Sequence, residues 1–147
     1  MTTTTISWDI AKETMDRLAT QLDPAKVYAW TPRANEQAKE VVWLDSRPSE
    51  ISYPVMTDGR RVRNELITYT WKVWVSGRRT PDDTGVRLAE IHAAFDNLFA
   101  DDVFLGDDLA PAVLEATLEA VTPDVFADQA GPFGTCDIVA TVLTRLQ

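Results

Sequence analysis

Histidine and cysteine most readily supply the acid, base or nucleophile of an enzyme, and this sequence contains one of each, His92 and Cys136. General acid–base and nucleophilic catalysis need such a group beside a partner that activates it. His92 follows Ile91 in a predicted helix, at the edge of its apolar stripe. Cys136 lies on the apolar face of a predicted strand rich in β-branched residues, where a small buried hydrophobic side chain fits. The sequence therefore predicts no catalytic site.

Metal and cofactor sites are not predicted either. A zinc site would need several closely spaced His or Cys residues. The sequence contains three acidic pairs: Asp82-Asp83, Asp101-Asp102 and Asp107-Asp108. None of them has the spaced carboxylates and central glycine of a calcium-binding loop. The segment 131–134, Gly-Pro-Phe-Gly, contains a proline and is followed by no lysine, unlike a phosphate-binding loop, so it predicts a structural turn.

Length and composition predict one domain over residues 1–147, because 147 residues with 45% hydrophobic content can build one core. The formal net charge of -9 disfavours nucleic acid and anionic membranes as partners. A lone cysteine cannot form an internal disulfide, and the threonine-rich start does not look like a signal peptide. We expect a protein kept in a reducing cytoplasm, with no membrane partner.

Tryptophan and arginine are enriched where proteins meet, and they provide the candidate interface residues. The five tryptophans are too many for core positions to absorb them all. Arginine clusters before and after the central strand can pair with carboxylates of a neighbouring subunit, or they are solvated loop charges. Contact with nucleic acid is a third alternative, which the negative net charge disfavours. If helices cover both faces of the sheet, Trp74 is ordinary core instead. The candidates are Trp43, Trp74, Arg60, Arg61, Arg63, Arg78 and Arg79.

The elements that must position these residues follow from hydrophobic spacing. A helix starting at Ser7 is predicted to bury Trp8, Ala11, Met15, Leu18 and Leu22. Short strands are predicted at 27–30, 41–44 and 51–56, the last confined to an edge or an irregular stretch by Pro54. Residues 65–75 alternate over a full central strand, and a second helix over 81–100 begins with the Thr80 cap.

The last third of the chain is less regular. Residues 113–121 alternate like a strand but have helical composition, and we favour the strand. A loop is predicted over 122–134, and a final strand over 135–145. The fold class that follows is α+β, with a single mixed or antiparallel sheet of about five strands and two main helices packed on it.

This order of elements resembles the tail terminator proteins of long-tailed (siphovirus-type) bacteriophages. The resemblance covers most of the chain and includes the arginine-flanked aromatic strand, the Thr80-Pro81-Asp82-Asp83 helix start, and the ending from 121–124 through 131–134 to a strand. It implies a non-enzymatic virion protein that forms a hexameric ring at the head-proximal end of the tail tube. Such a ring ends tube polymerisation and joins the tail to the neck.

The same resemblance implies the partners: further copies of the chain, the tail tube protein and the neck or connector protein, assembled in the cytoplasm of a bacterial host. DNA would only pass through the lumen, which suits an acidic chain. Other head–tail neck proteins, of the head-closure or tail-completion type, are the first alternative. A small cytoplasmic binding or adaptor domain is another, as is a small-molecule-binding or hydrolytic domain that uses His92 and acidic residues.

Overall fold

The structure is a computed structural model that describes the backbone of residues 7–33, 39–57, 60–100 and 113–146, and the side chains of 8–33, 39–52, 64–100 and 113–145. Its elements are α1 (Ser7–Gln21), β1 (Lys26–Tyr28), β2 (Glu40–Ser46), β3 (Ser49–Thr57), β4 (Arg60–Ser76), α2 (Pro81–Ala100), β5 (Val113–Asp128) and β6 (Gly131–Leu146). The predicted α+β class is confirmed, although the sheet has six strands, one more than expected.

The sheet is mixed and is organised around β4. Its strand order is β1-β2-β4-β6-β5, and β3 pairs with β4 off this path. The pairing of β1 with β2 is parallel, and the other pairings are antiparallel. With 17 residues, β4 is long enough to bond β6 along one side and both β2 and β3 along the other. The central strand predicted from alternation is therefore the centre of the sheet.

One face of the sheet carries the hydrophobic core. Five alternating side chains of β4 lie on this face and are at most 2% exposed: Ile67, Tyr69, Trp71, Val73 and Val75. Each such side chain contributes roughly 1.5–3 kcal/mol when fully buried. Both helices pack on this face. The apolar stripe of α2 is buried there and consists of Leu88, Ile91, Phe95 and Leu98. The ring centroids of Trp71 and Phe95 are 5.9 Å apart.

The buried stripe of α1 is rotated relative to the prediction. Trp8 is 43% exposed and lies under the Arg47 guanidinium at 5.4 Å, whereas Ile10 is buried. Thr14 is also buried because its hydroxyl donates a hydrogen bond to the Ile10 carbonyl at 2.8 Å. A polar residue satisfied by its own helix can therefore face the core, and this shifts the stripe by about one position.

A buried ion pair joins β2 to α2. Glu40 is 5% exposed, and one of its carboxylate oxygens accepts a hydrogen bond from Arg87 Nε at 2.7 Å. Arg78 donates to the other oxygen, and Arg87 Nη2 donates to the Leu22 carbonyl at 2.7 Å. Burial by itself would lower the pKa of Arg87, but hydrogen bonds to Glu40 and Glu90 raise it above its ordinary value. The guanidinium therefore stays charged inside the fold.

The predicted loop over 122–134 is wrong, and so is the turn predicted at 131–134. Strand β5 continues to Asp128, and β6 begins at Gly131. Pro123 is tolerated because β5 is an edge strand, where a missing N–H need not break a ladder bond. Gly134 is needed for close packing, since a Cβ there would lie 2.7 Å from Leu88 Cδ1. The prolines and glycines that predicted a loop are therefore edge and packing residues.

The other correction concerns the start of the central strand. Arg60, Arg61 and Arg63 were predicted to precede it, but they lie within β4, where Arg60 and Arg61 pair with β3 and Arg63 with β6. Strand β3 extends β4 in this direction, and its register shift between Ser52 and Val55 spans Pro54, in agreement with the predicted irregular edge. Residues 58 and 59, an Asp-Gly pair that is typical of a turn, lie outside the described residues.

Candidate protein–protein interface

The sheet face opposite the two helices carries a row of aromatic side chains, which we name the aromatic band. Strand pairing places one aromatic residue from each of five strands on this face, and Trp30 lies two residues beyond the end of β1. Its members are Tyr28, Trp30, Trp43, Trp74, Phe133 and Phe126. Trp30 and Phe126 are 45% and 43% exposed, and the other members are half-buried.

Ring contacts run along much of the band. Trp74 stacks on Phe133 with ring centroids 5.0 Å apart, and Phe133 stacks on Phe126 at 5.1 Å. At the other end, Tyr28 and Trp30 are 5.6 Å apart. Stacked rings hold one another in fixed orientations, so the band is an ordered apolar surface.

A shallow cavity of about 260 Å³ opens in the middle of the band. Trp43 and Trp74 form two of its walls, and Thr31, Pro32 and Val41 complete the lining. Val41 is only 3% exposed although it faces away from the helices. The cavity can accept one apolar side chain of a partner, which is the usual form of an interface hot spot.

The two tryptophans chosen from the sequence are thus brought together, while four band members were missed. Trp30 was assigned to the first strand, without a face. Phe126 and Phe133 lie in the segment predicted to be a loop, for which no alternation between faces is expected. The pairing of Phe126 with Phe133 in the β5–β6 ladder puts both on the face of Trp74. Aromatic content on either side of a short turn is the signal that could have identified them.

The arginines chosen from the sequence are not brought to one place. Arg78 is held by Glu40 inside the chain, so its first role is structural. Arg79 is exposed and forms no ion pair among the described side chains. It lines a surface depression of about 330 Å³ with Asp83 and Val86. Arg60, Arg61 and Arg63 occupy the far end of β4, and their side chains lie outside the described residues.

His92 and Cys136 line a second groove, between α2 and β5. Its volume is about 340 Å³, and its other walls include Leu88, Val121 and Pro123. His92 is half-buried and Cys136 is 2% exposed, which confirms the predicted boundary and core positions. Burial, with a smaller effect of the Asp137 charge, raises the pKa of the Cys136 thiol to about 11. The thiol is therefore protonated at neutral pH, the opposite of an activated nucleophile.

The raised pKa of Cys136 predicts an alkaline loss of stability. The folded state favours the protonated thiol. The contribution of this thiol to the free energy of unfolding is therefore complete below its unfolded pKa, near 9, and is lost as the pH rises through about 11. We expect the urea midpoint of the wild-type chain to fall more steeply between these pH values than that of Cys136→Ala. Parallel slopes for the two chains would contradict the assignment.

The acidic pairs do not assemble a metal site in the described part of the chain. No group of three or more His, Cys, Asp or Glu residues is found there in an arrangement that could hold an ion. Asp82 and Asp83 lie in the first turn of α2, where the Thr80 hydroxyl accepts a hydrogen bond from the Asp83 N–H at 3.1 Å. The predicted cap is confirmed. The pairs at 101–102 and 107–108 lie outside the described residues.

Neither of the described helices is long and apolar enough to cross a membrane.

Comparison with known proteins finds similarity in structure but none in sequence. No protein-family model matches the chain, and no curated protein matches it. Among solved structures, it is similar to a chain of the "Virion of native gene transfer agent (GTA) particle", with 14% sequence identity and a TM-score of 0.57. The similarity covers 92% of this chain and 91% of that chain. At this identity it shows that the two chains share a fold.

Proposed function

We propose that this chain is a structural protein of a tailed phage or phage-like virion, and that it forms the tail-terminator ring at the head-proximal end of the tail tube. The observation that carries the proposal is the shared fold, which extends over nine-tenths of both this chain and a chain from a gene transfer agent virion. Fold alone does not define function. The sequence layout, which independently resembles tail terminators, supports the same role.

The surface of the molecule supports a role through contact. Both helices cover one face of the sheet, so the aromatic band on the other face is not covered by either of them. Bands of partly exposed aromatic residues are typical of surfaces that bind another protein. A subunit of a ring needs two such surfaces, because each copy contacts one neighbour on each side.

The remaining parts of the proposal follow from the same role. The partners are further copies of this chain, the tail tube protein below and the neck or connector protein above, all within the virion. The net charge of -9 gives a surface with little affinity for DNA that must slide past it. The role is non-enzymatic, and the protonated Cys136 thiol in its apolar groove is consistent with that.

Removal of the coding sequence in the bacterium that makes the particle tests the proposal. Loss of a tail terminator should leave overlong tail tubes without heads, visible by negative-stain electron microscopy. Tails of normal length beside unjoined heads would instead place the chain among the neck proteins. Unchanged particles would overturn the virion role altogether and favour an adaptor domain.

Complementation in the same strain provides the control. Wild-type chain and the His92→Ala variant should both restore normal particles, because contact does not need the imidazole. A folded His92→Ala chain that fails to restore them would favour the hydrolytic alternative.

A further inference from the structure

We propose that the aromatic band is the docking surface for a second copy of this chain, which presents Arg79 and Val86 to it. The inference deepens the proposed function and rests on it, because it assigns the two surfaces by which ring subunits would meet. It concerns the contact between copies, and not the tail tube or the neck.

The edge strands β5 and β3 are poor sites for joining copies, and the remaining edge strand, β1, is only three residues long, which leaves the face. Strand β5 has Pro123 in its middle and carries Glu115 and Glu119, and its register shifts near both of these carboxylates. Strand β3 at the other edge contains Pro54 at its own register shift. Prolines, bulges and charges are the features that prevent edge strands from pairing with another chain.

The charges beside the band favour a protein partner over a nucleic acid. Stacked aromatic rings can bind bases, but such platforms lie in basic grooves. Here Asp124 is on the same face as Phe126, and Asp128 ends the same strand. The nearby cation Lys72 is neutralised by Asp137 at 3.0 Å. A polyanion would be repelled, whereas a partner with a positive charge beside an apolar side chain would fit.

The chain itself carries such a surface. Arg79 is exposed, and Val86, one turn into α2, is 60% exposed. Both line the same surface depression, together with Asp83 and with Glu90, whose carboxylate is paired with Arg87 at 3.0 Å. In a second copy, Arg79 can pair with Asp124 or Asp128 while Val86 contacts the rings, so charge and apolar character are complementary.

The positions of the two surfaces suit a closed ring. Arg79 follows the end of β4 that pairs with Phe133, so it lies at the same end of the sheet as the band. Val86 belongs to α2, which packs on the opposite face. When two different surfaces lie on opposite sides of a subunit and at the same end of the sheet, they can make head-to-tail contacts. Such contacts close into a ring if the rotation between successive subunits divides a full turn evenly.

The size of the band is adequate for the centre of a stable interface. Five strands span four spacings of about 4.8 Å, or roughly 19 Å. A standard interface buries about 800 Å² on each partner, and a fully buried aromatic side chain contributes about 150–250 Å². The rings are already partly buried within the subunit, so each can add only part of that area. Together they supply the apolar centre of the contact, with the Arg79–carboxylate contact at the rim.

Cysteine cross-linking tests this arrangement in the full-length chain. Val86→Cys and Asp124→Cys replace one exposed residue on each surface, and buried Cys136 is left unreactive by its position. With a short bismaleimide, the double variant should give a ladder of dimers, trimers and larger species. Each single variant alone should stay monomeric on a denaturing gel, and a mixture of the two should stop at dimers. The head-to-tail contact would be overturned if the double variant gave no ladder, or if either single variant alone gave a dimer.

A matched pair of surface variants tests the band itself. Phe126→Ser and Ile51→Ser each remove an exposed apolar side chain, of 43% and 49% exposure, but only Phe126 is in the band. We expect Phe126→Ser to weaken self-association at least tenfold by sedimentation equilibrium, with Ile51→Ser unchanged. Equal association for both variants, or a wild-type chain that is monomeric at every concentration, would overturn this inference. The deletion phenotype of the proposed function would stand independently of that result.

Discussion

Replacing Arg87 with alanine is expected to lower the free energy of unfolding by about 3–5 kcal/mol, because it leaves a buried carboxylate and a buried carbonyl short of a donor. Arg87 donates to Glu40 Oε1 and to the Leu22 carbonyl, each at 2.7 Å, and its side chain is 10% exposed. These contacts connect β2, α2 and the end of α1. Urea unfolding followed by circular dichroism measures the loss.

Arg17→Ala is the matched control for this prediction. Arg17 also pairs with a glutamate, Glu13, at 2.6 Å, but both side chains are more than a third exposed. Solvent screens such a pair, so its removal should cost only about 0.3–0.5 kcal/mol. The double variant Glu40→Leu with Arg87→Met should recover part of the loss, since no buried carboxylate remains at position 40. An Arg87→Ala variant as stable as Arg17→Ala would show that the network contributes little.

The sequence predicted those parts of the fold that depend on local periodicity. Residues 65–75 alternate without interruption, and the second helix has a cap, a first-turn proline and a regular apolar stripe. In both segments local propensity and burial favour the same structure, so the predicted strand lies within β4 and the helix bounds agree with α2. The bounds of β5 and β6 were missed because Pro123 and Gly134 are explained only by tertiary context, an edge position and a close helix.

The candidate interface was predicted in part for the same reason. The alternation over residues 65–75 puts Trp74 on the face opposite Trp71, and Trp43 lies in the predicted strand at 41–44. The position of Phe126 and Phe133 beside Trp74 depends on the pairing of β6 with β4, which are distant in sequence, and a single strand's period does not contain that register. Likewise, the capture of Arg78 by Glu40 joins residues 38 positions apart. Residue type and spacing therefore identified Trp43 and Trp74, at the centre of the aromatic band, but not the aromatic residues on either side of them.

The two tryptophans of β4 provide the sharpest test of this division between core and contact surface. Trp71 and Trp74 are three positions apart on one strand and face opposite sides of the sheet. Trp71 is 1% exposed and packs on Phe95, whereas Trp74 is half-buried in the band. We expect Trp71→Ala to lower the free energy of unfolding by about 3–5 kcal/mol, because it opens a large cavity in the core.

Trp74→Ala should cost only about 1–2 kcal/mol, because part of its ring is already in contact with solvent and no helix packs above it. Urea unfolding at low protein concentration measures both variants without a contribution from self-association. Equal losses would mean that Trp74 belongs to a second buried layer, as expected if both faces of the sheet were covered. A small loss for Trp74→Ala together with weakened self-association would identify its ring as part of a surface that is completed by another copy.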